Sequence, residues 1–471
     1  MMASEALPAE RLLEYLGSLK PEARALLIAE LERGLLRGDE MPGTDLVLQQ
    51  LRRTLRDSDR PPPRIGNPAR LFFMPLEPFI VDDALDHKHP GRIARAALEP
   101  IWAWIGRDLL PAEAKTFSDD VSQALLADDK AKAELLTRAF QDQTAQRIEA
   151  ALAAAETDDK ARRRMAGQIG AAGALGIAKE ILGILKARDM LAALAARLPG
   201  HINALADVRL QSVKTLLDTQ IGQKPDIFLH ALVLVMSRLA APWQLIRLAT
   251  KAAESDNAAR IAASPYAVAV TIVLAEVERL AGELRTDLKS GRGVAVIALL
   301  KAIHDAARGL RTEVDLSIDT AWGRQLAAIR TDISNLLKSE IESMPGRVRR
   351  LLRPRPAKEI ASGSTLDLGD VTETEALIGF VDACRKYAGE LALNEMTQRS
   401  YTELQHYLET GTRALIDGLR NAGEGERQFR QSQVDAAVRF CGKVFGPEYA
   451  SQLAKAAEVA ANSERKAAAK A

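Results

Sequence analysis

The spacing of apolar residues predicts an all-α protein: an elongated multi-helix array containing a long antiparallel helical hairpin and ending in a smaller C-terminal helical unit. Three observations carry this expectation. Between Ala258 and Ser343 apolar residues recur in steps of three and four over roughly ninety positions, the period of one helix face. Aromatic residues make up 4% of the chain against 47% hydrophobic, so alanine and leucine must carry the burial, which suits close-packed helices better than a sheet. Proline and glycine fall where helices would open or close.

Residues 1–59 read as a small helical unit. Pro8 and Pro21 occupy first turns ahead of Leu12, Leu13 and Leu16, and of Leu26, Leu27, Leu31 and Leu35; Thr44 to Leu55 follows Pro42-Gly43. Residues 60–90 read as a proline-rich strap. Six prolines from Pro61 to Pro78 oppose a regular helix, so an extended segment burying Phe72, Phe73 and Phe79 against neighbouring helices is expected.

Residues 91–345 read as a central helical array. Arg92 to Leu110 carries Ile93, Leu98, Ile101, Trp102 and Ile105, and Pro111 opens the next helix. Further helices are expected over residues 130–155, 158–197, 202–219 and 227–240, with interruptions at Gly222 to Pro225 and at Pro242. The hairpin occupies residues 258–343. Val270, Val273, Val277, Leu280, Leu284 and Leu288 form one stripe, and Ser290-Gly291-Arg292-Gly293 is the turn. Val296, Leu300, Ile303, Ala307, Leu310, Val314, Ile318, Trp322, Leu326, Ile329, Ile333 and Leu336 form the other. A second arm of about fifty residues would be ~75 Å long. Its steps from Leu310 to Trp322 are all fours, a local drift away from a regular left-handed supercoil.

Residues 346–366 read as a basic linker, since Pro345 to Lys358 carries six cations and no acid. Residues 367–471 read as the C-terminal helical unit. Thr372 and Glu375 could form a capping box, later helices start near Asn394, Glu426 and Pro447, and the lysine- and alanine-rich end is expected to fray. No constant repeat length supports a solenoid.

Charge and cysteine content narrow the functional classes. Lysine plus arginine number 64 and aspartate plus glutamate 63, so no global field draws the chain to nucleic acid, which is an unfavoured partner, and any anion binding must be local. Cys384 and Cys441 stand outside any paired motif, consistent with a reducing cytoplasmic setting. The N-terminus lacks the pattern of a secretory leader. The longest uncharged runs, Met165 to Ala178 and Ile261 to Ala275, are shorter than the ~20 residues a membrane helix needs.

Four groups of residues are candidates for function. Leu71, Phe72, Phe73 and Phe79 in the strap either cover a core edge or anchor a protein partner. Gly167, Gly170, Gly173 and Gly176, together with Trp322, mark a helix-packing or oligomer seam; shallow membrane insertion beside Arg162 to Arg164 is the alternative use of the glycines. Arg347, Arg349, Arg350, Arg353 and Arg355 are candidate contacts for an anion or an acidic partner. Asp86, His87 and His89, near Asp82 and Asp83, form a loose set of metal-ligand types whose spacing fits no closed site. His304 and its neighbour Asp305 should point about 100° apart on a helix and so should not share a proton.

No cofactor is implied. The expected function is a non-enzymatic cytoplasmic scaffold or adaptor that binds protein partners, or its own copies, through apolar helix faces and the strap. A peripheral protein on an anionic membrane is the alternative, and a helical enzyme or metal protein comes third.

Overall fold

Helices account for nearly all regular structure in the computed structural model, as the apolar periodicity requires. It describes residues 15–16, 19–37, 39, 43–44, 47–48, 51, 66–82, 90–170, 173–222, 224–290 and 293–468. The chain divides into two compact units. Unit 1 comprises Met1–His87, Gly91–Pro199 and Leu216–Ser237, and unit 2 comprises Lys88–Pro90, Gly200–Thr215 and Arg238–Ala471.

Unit 1 begins with α1 (Pro21–Arg37), which packs on a later helix and shares a cluster of Leu16, Ile28, Leu48 and Leu51. Of the leucines expected to face inward, Leu26 and Leu35 are exposed, and Ile28 replaces them. Over residues 68–79 the strap is not extended. Asn67 caps a helical turn, α2 (Pro68–Phe73), by accepting from the Arg70 amide at 2.7 Å, and Pro68 sits in the first turn. A 3-10 helix, Met74–Phe79, follows, with Pro75 also in its first turn. Pro68 and Pro75 stand where the missing N–H costs nothing, and Pro78 falls inside the short 3-10 turn, near its end.

Ile80–Val81 (β1) then pairs in parallel with Ile93–Ala94 (β2), so the start of the segment expected to be helical from Arg92 is a short bridge instead. Next come α3 (Leu98–Trp104) and a π turn (Ile105–Leu109), followed by α4 (Pro111–Leu126) and α5 (Lys130–Thr157). The stretch expected as one helix from residue 158 to 197 is two: α6 (Asp159–Ile169) and α7 (Ala174–Arg197). Gly170 closes α6 at φ 69° and Gly173 opens α7 at φ 68°, conformations that favour glycine. The border between the units falls within α8 (Asp207–Gln220), and α9 (Pro225–Met236) returns to unit 1 against α7.

The core of unit 1 is built around a cluster of aromatic side chains. Phe72 lies 5.0 Å from Phe73, 5.4 Å from Trp102 and 5.6 Å from Phe140 between ring centroids, and Phe117 stacks on Phe140 at 4.4 Å. Edge-to-face and offset contacts of this kind add about 0.5–1.5 kcal/mol each beyond the area they bury. The buried Gln141 amide donates to the Phe72 carbonyl at 2.8 Å, satisfying the backbone where α2 passes into the 3-10 turn.

In unit 2, α10 (Ile246–Ala253) and α11 (Ala258–Ala262) precede the hairpin, which is formed by α12 (Ala267–Ser290) and α13 (Gly293–Glu313). Val270, Val273, Val277 and Leu284 on one arm are buried, as are Val296, Leu300, Ile303, Ala307 and Leu310 on the other. The fifty-residue second arm does not exist. The chain leaves the helix at Val314 and starts α14 (Ala321–Leu352) only after a turn, and α14 packs back on α12. Thr320 caps α14 by accepting from the Gly323 amide at 2.9 Å and donates to the Ser317 carbonyl at 2.7 Å, while the Asp315 amide bonds the Asp256 carbonyl at 2.8 Å. Ile318, placed in the buried stripe by its spacing, is 68% exposed at this turn. Trp322 lies half-buried in the first turn of α14.

The remaining helices are α15 (Leu368–Lys386), α16 (Ala388–Leu391), α17 (Asn394–Arg420), α18 (Glu424–Phe445) and α19 (Pro447–Ala468). α15 starts ahead of the expected capping box: Asp367 is its cap, accepting from the Gly369 and Asp370 amides, and Glu375 instead pairs with Arg439. α14 packs on α15, α17 and α18, so the basic segment joins helices that share one unit.

Candidate functional site

The basic segment begins as helix, not linker. Pro345-Gly346 does not stop α14, which runs on to Leu352. An interior proline removes one backbone bond and crowds the carbonyl four residues earlier, a cost of about 3 kcal/mol. Burial of Leu337, Ile341, Met344, Val348, Leu351 and Leu352, spaced by three and four along one face, offsets it. The same spacing places Gly346, Arg349, Arg350 and Arg353 together on the other face.

Beyond the helix the chain is held from within unit 2. Gln433 on α18, fully buried, donates its amide to the Leu351 carbonyl at 3.1 Å and to the Arg353 carbonyl at 3.0 Å. Pro354 and Pro356 restrict the backbone that follows. The Arg355 guanidinium lies 4.9 Å from the Phe429 ring centroid. Gly346, Arg349, Arg350, Arg353, Pro354, Arg355, Glu359 and Tyr407 thereby line one open basin of about 740 Å³. Of the five candidate arginines, Arg347 alone stays outside it.

The four basin arginines are not equivalent. Arg349 pairs with Glu403 at 2.6 Å and lies 5.7 Å from the Tyr407 ring centroid. Arg350, Arg353 and Arg355 have no acidic partner among the described residues, although Glu359 lines the same basin. Burial pushes the Tyr407 phenol up, against a smaller opposing pull from Arg349, so it keeps its proton and can donate. Sequence reasoning missed Tyr407 and Gln433, which approach from separate helices.

A second concavity, about 400 Å³, lies within unit 1. Leu71, Met74, Pro75 and Pro78 from the strap face Leu191, Ala192 and Ala195 of α7, with Thr137 and Gln141 of α5 between them. Arg138 bonds Asp189 across its rim, and Arg188 pairs with Asp142 at 2.7 Å; Glu134, also at the rim, is exposed. Phe72, Phe73 and Phe79 are buried to 0%, 7% and 1% exposure. They form core, so a partner would meet Met74 and the prolines instead of these rings. Of the three rings, Phe79 alone lines the groove.

The other candidates separate. Gly167 and Gly176 have open space where a Cβ would stand, and Gly170 and Gly173 are turn residues, so within the chain the glycines mark a corner and no close helix contact. Close approach occurs at Gly183, where a Cβ would come 3.2 Å from His230. His230 itself is buried and bonded to Glu180 at 2.8 Å. His304 and Asp305 do meet, at 3.2 Å, contrary to the simple helical angle. Burial raises the Asp305 carboxyl, but hydrogen bonds from Lys301 and His304 outweigh it and hold the group below its ordinary value.

Asp86, His87 and His89 lie outside the described residues; Asp82 is bonded to Arg95 at 2.5 Å. No group of three or more histidine, cysteine, aspartate or glutamate residues with metal-holding geometry occurs among the described residues. Cys384 and Cys441 are buried free thiols; burial pushes Cys384 up to about 12 and raises Cys441 as well. Among the described residues no single helix is long and apolar enough to cross a membrane; α6 and α7 reach that composition only together, across an 83° bend. No protein-family model, curated protein or solved structure matches the chain.

Proposed function

We propose that this chain is a non-enzymatic binding protein, an adaptor, that captures an anionic partner on the arginine face of unit 2. The observation that carries the reading is the convergence of Arg349, Arg350, Arg353 and Arg355 on one basin, with three of them lacking an acidic partner among the described residues. Guanidinium groups on a fixed helix turn are suited to charge-assisted, forked hydrogen bonds, and Gln433 fixes the turn. Anisotropy titrations with labelled polyanions test this. Binding is expected to weaken as salt is raised and to fall about a hundredfold when all four arginines become glutamine. A quadruple variant that binds as tightly as the natural chain would overturn the reading.

The unit 1 groove favours a second reading, in which an apolar segment of a protein partner lies along Leu71, Met74, Pro75 and Pro78. Exposed Glu134 at the rim calls for a lysine or arginine in that segment. A photocrosslinker at position 74 should label an apolar peptide containing such a cation, while one at exposed Leu135 should not. Equal labelling from both positions counts against the groove.

A further inference from the structure

We infer that the arginine basin of unit 2 is a site for clustered phosphates, a compact ligand or headgroup bearing two or more phosphate groups. The assignment rests on the anion-binding reading above and narrows it. Arg349 and Arg350 stand in the last turn of α14 and Arg353 is the residue that ends it, so three cations crowd one helix end. Part-buried arginines of unit 2 are neutralised internally, Arg247 by Glu313, Arg279 by Glu276 and Glu283, and Arg430 by Glu426, whereas the basin gathers four exposed arginines around one concavity. Glu359 stands on its lining and pairs with none of the arginines.

The chemistry selects phosphate over carboxylate. A carboxylate offers two oxygens and one charge, which is what Glu403 supplies to Arg349 alone. A terminal phosphate carries nearly two charges on three acceptor oxygens, so one group can receive from Arg350 and Arg353 together. A linked second phosphate would reach Arg355 and the protonated Tyr407 hydroxyl. The volume, about 740 Å³, lies within the range of small-ligand sites and exceeds what a single phosphate fills. Gly346 adds room, since no atom lies within 4 Å of where its side chain would begin.

Two sources share this chemistry: a soluble polyphosphate or nucleotide, and a phosphoinositide headgroup. The test is calorimetric titration of the full chain, at fixed ionic strength, with inorganic tripolyphosphate, triglutamate and a single-stranded oligonucleotide, plus sedimentation with phosphatidylcholine vesicles containing either phosphatidylinositol bisphosphate or phosphatidylserine. Tripolyphosphate is expected to bind at least about tenfold more tightly than triglutamate. Arg350→Gln and Arg353→Gln should each weaken it about tenfold, and Gly346→Glu, whose carboxylate can pair with Arg350 four residues on, should do the same, all with unchanged circular dichroism. Preference for the bisphosphate vesicles over the serine vesicles assigns the source to a membrane; binding of tripolyphosphate without vesicle binding assigns it to solution. Triglutamate or the oligonucleotide binding as tightly as tripolyphosphate, or serine vesicles binding as well as bisphosphate vesicles, overturns the phosphate assignment and leaves the broader anion reading standing. Failure of every polyanion removes both.

Discussion

Phe72→Ala is expected to destabilise unit 1 by about 4 kcal/mol, the range for deleting a fully buried phenylalanine. The side chain is 0% exposed and touches the rings of Phe73, Trp102 and Phe140, so its loss opens a cavity that three neighbouring aromatics cannot fill without leaving their own contacts. Hydrogen exchange in α4 and α5 reads this locally and separates it from unfolding of unit 2. Met74→Ala, next in the strap but 54% exposed, should change the same protection by less than about 0.5 kcal/mol. If the two substitutions have equal small effects, Phe72 is not core, and its expected role as a partner anchor returns.

Gly323→Ala should cost about 3 kcal/mol although alanine is the better helix former. A Cβ at this position would stand 2.0 Å from the Ser317 carbonyl oxygen, 2.7 Å from its carbon and 2.9 Å from the Thr320 hydroxyl. Two of these are backbone atoms, which cannot rotate away. The turn from Ser317 to Thr320 would have to open, and the cap of α14 would go with it. Gly346→Ala, in the same helix with open space around it, should instead stabilise by about 0.5–1 kcal/mol. Opposite signs from one substitution type in one helix, measured by urea unfolding, are the expected outcome; the same sign at both positions would contradict the placement of the turn.

Much of the helical content was legible in the sequence, because burial of one face imposes a period that no single residue can hide. The break before α14 was partly legible. The run of four-residue steps from Leu310 to Trp322 shows the apolar stripe slipping off one face, and Ser317, Asp319 and Thr320 within it are turn and capping residues. Following the stripe alone hid them. The arginine face was equally present: residues 346, 349, 350 and 353 share a helical spacing, out of phase with Met344, Val348, Leu351 and Leu352. Pro345-Gly346 obscured it, since that pair ordinarily ends a helix. Gln433 and Tyr407 were out of reach. Gln433 meets the Leu351 carbonyl 82 residues away in sequence, a contact that depends on how α14 and α18 pack and leaves no local trace.

The two opposite faces of the last turns of α14 also bear on how such a surface can change over time. Because the charged positions and the buried ones alternate around the same few turns, a substitution at 349, 350 or 353 changes the charge of the exposed face while leaving interior packing untouched, and one at 348 or 351 does the reverse. Selection can therefore change the surface charge at this end of the helix without passing through poorly folded ancestors, and a designer inherits the same freedom.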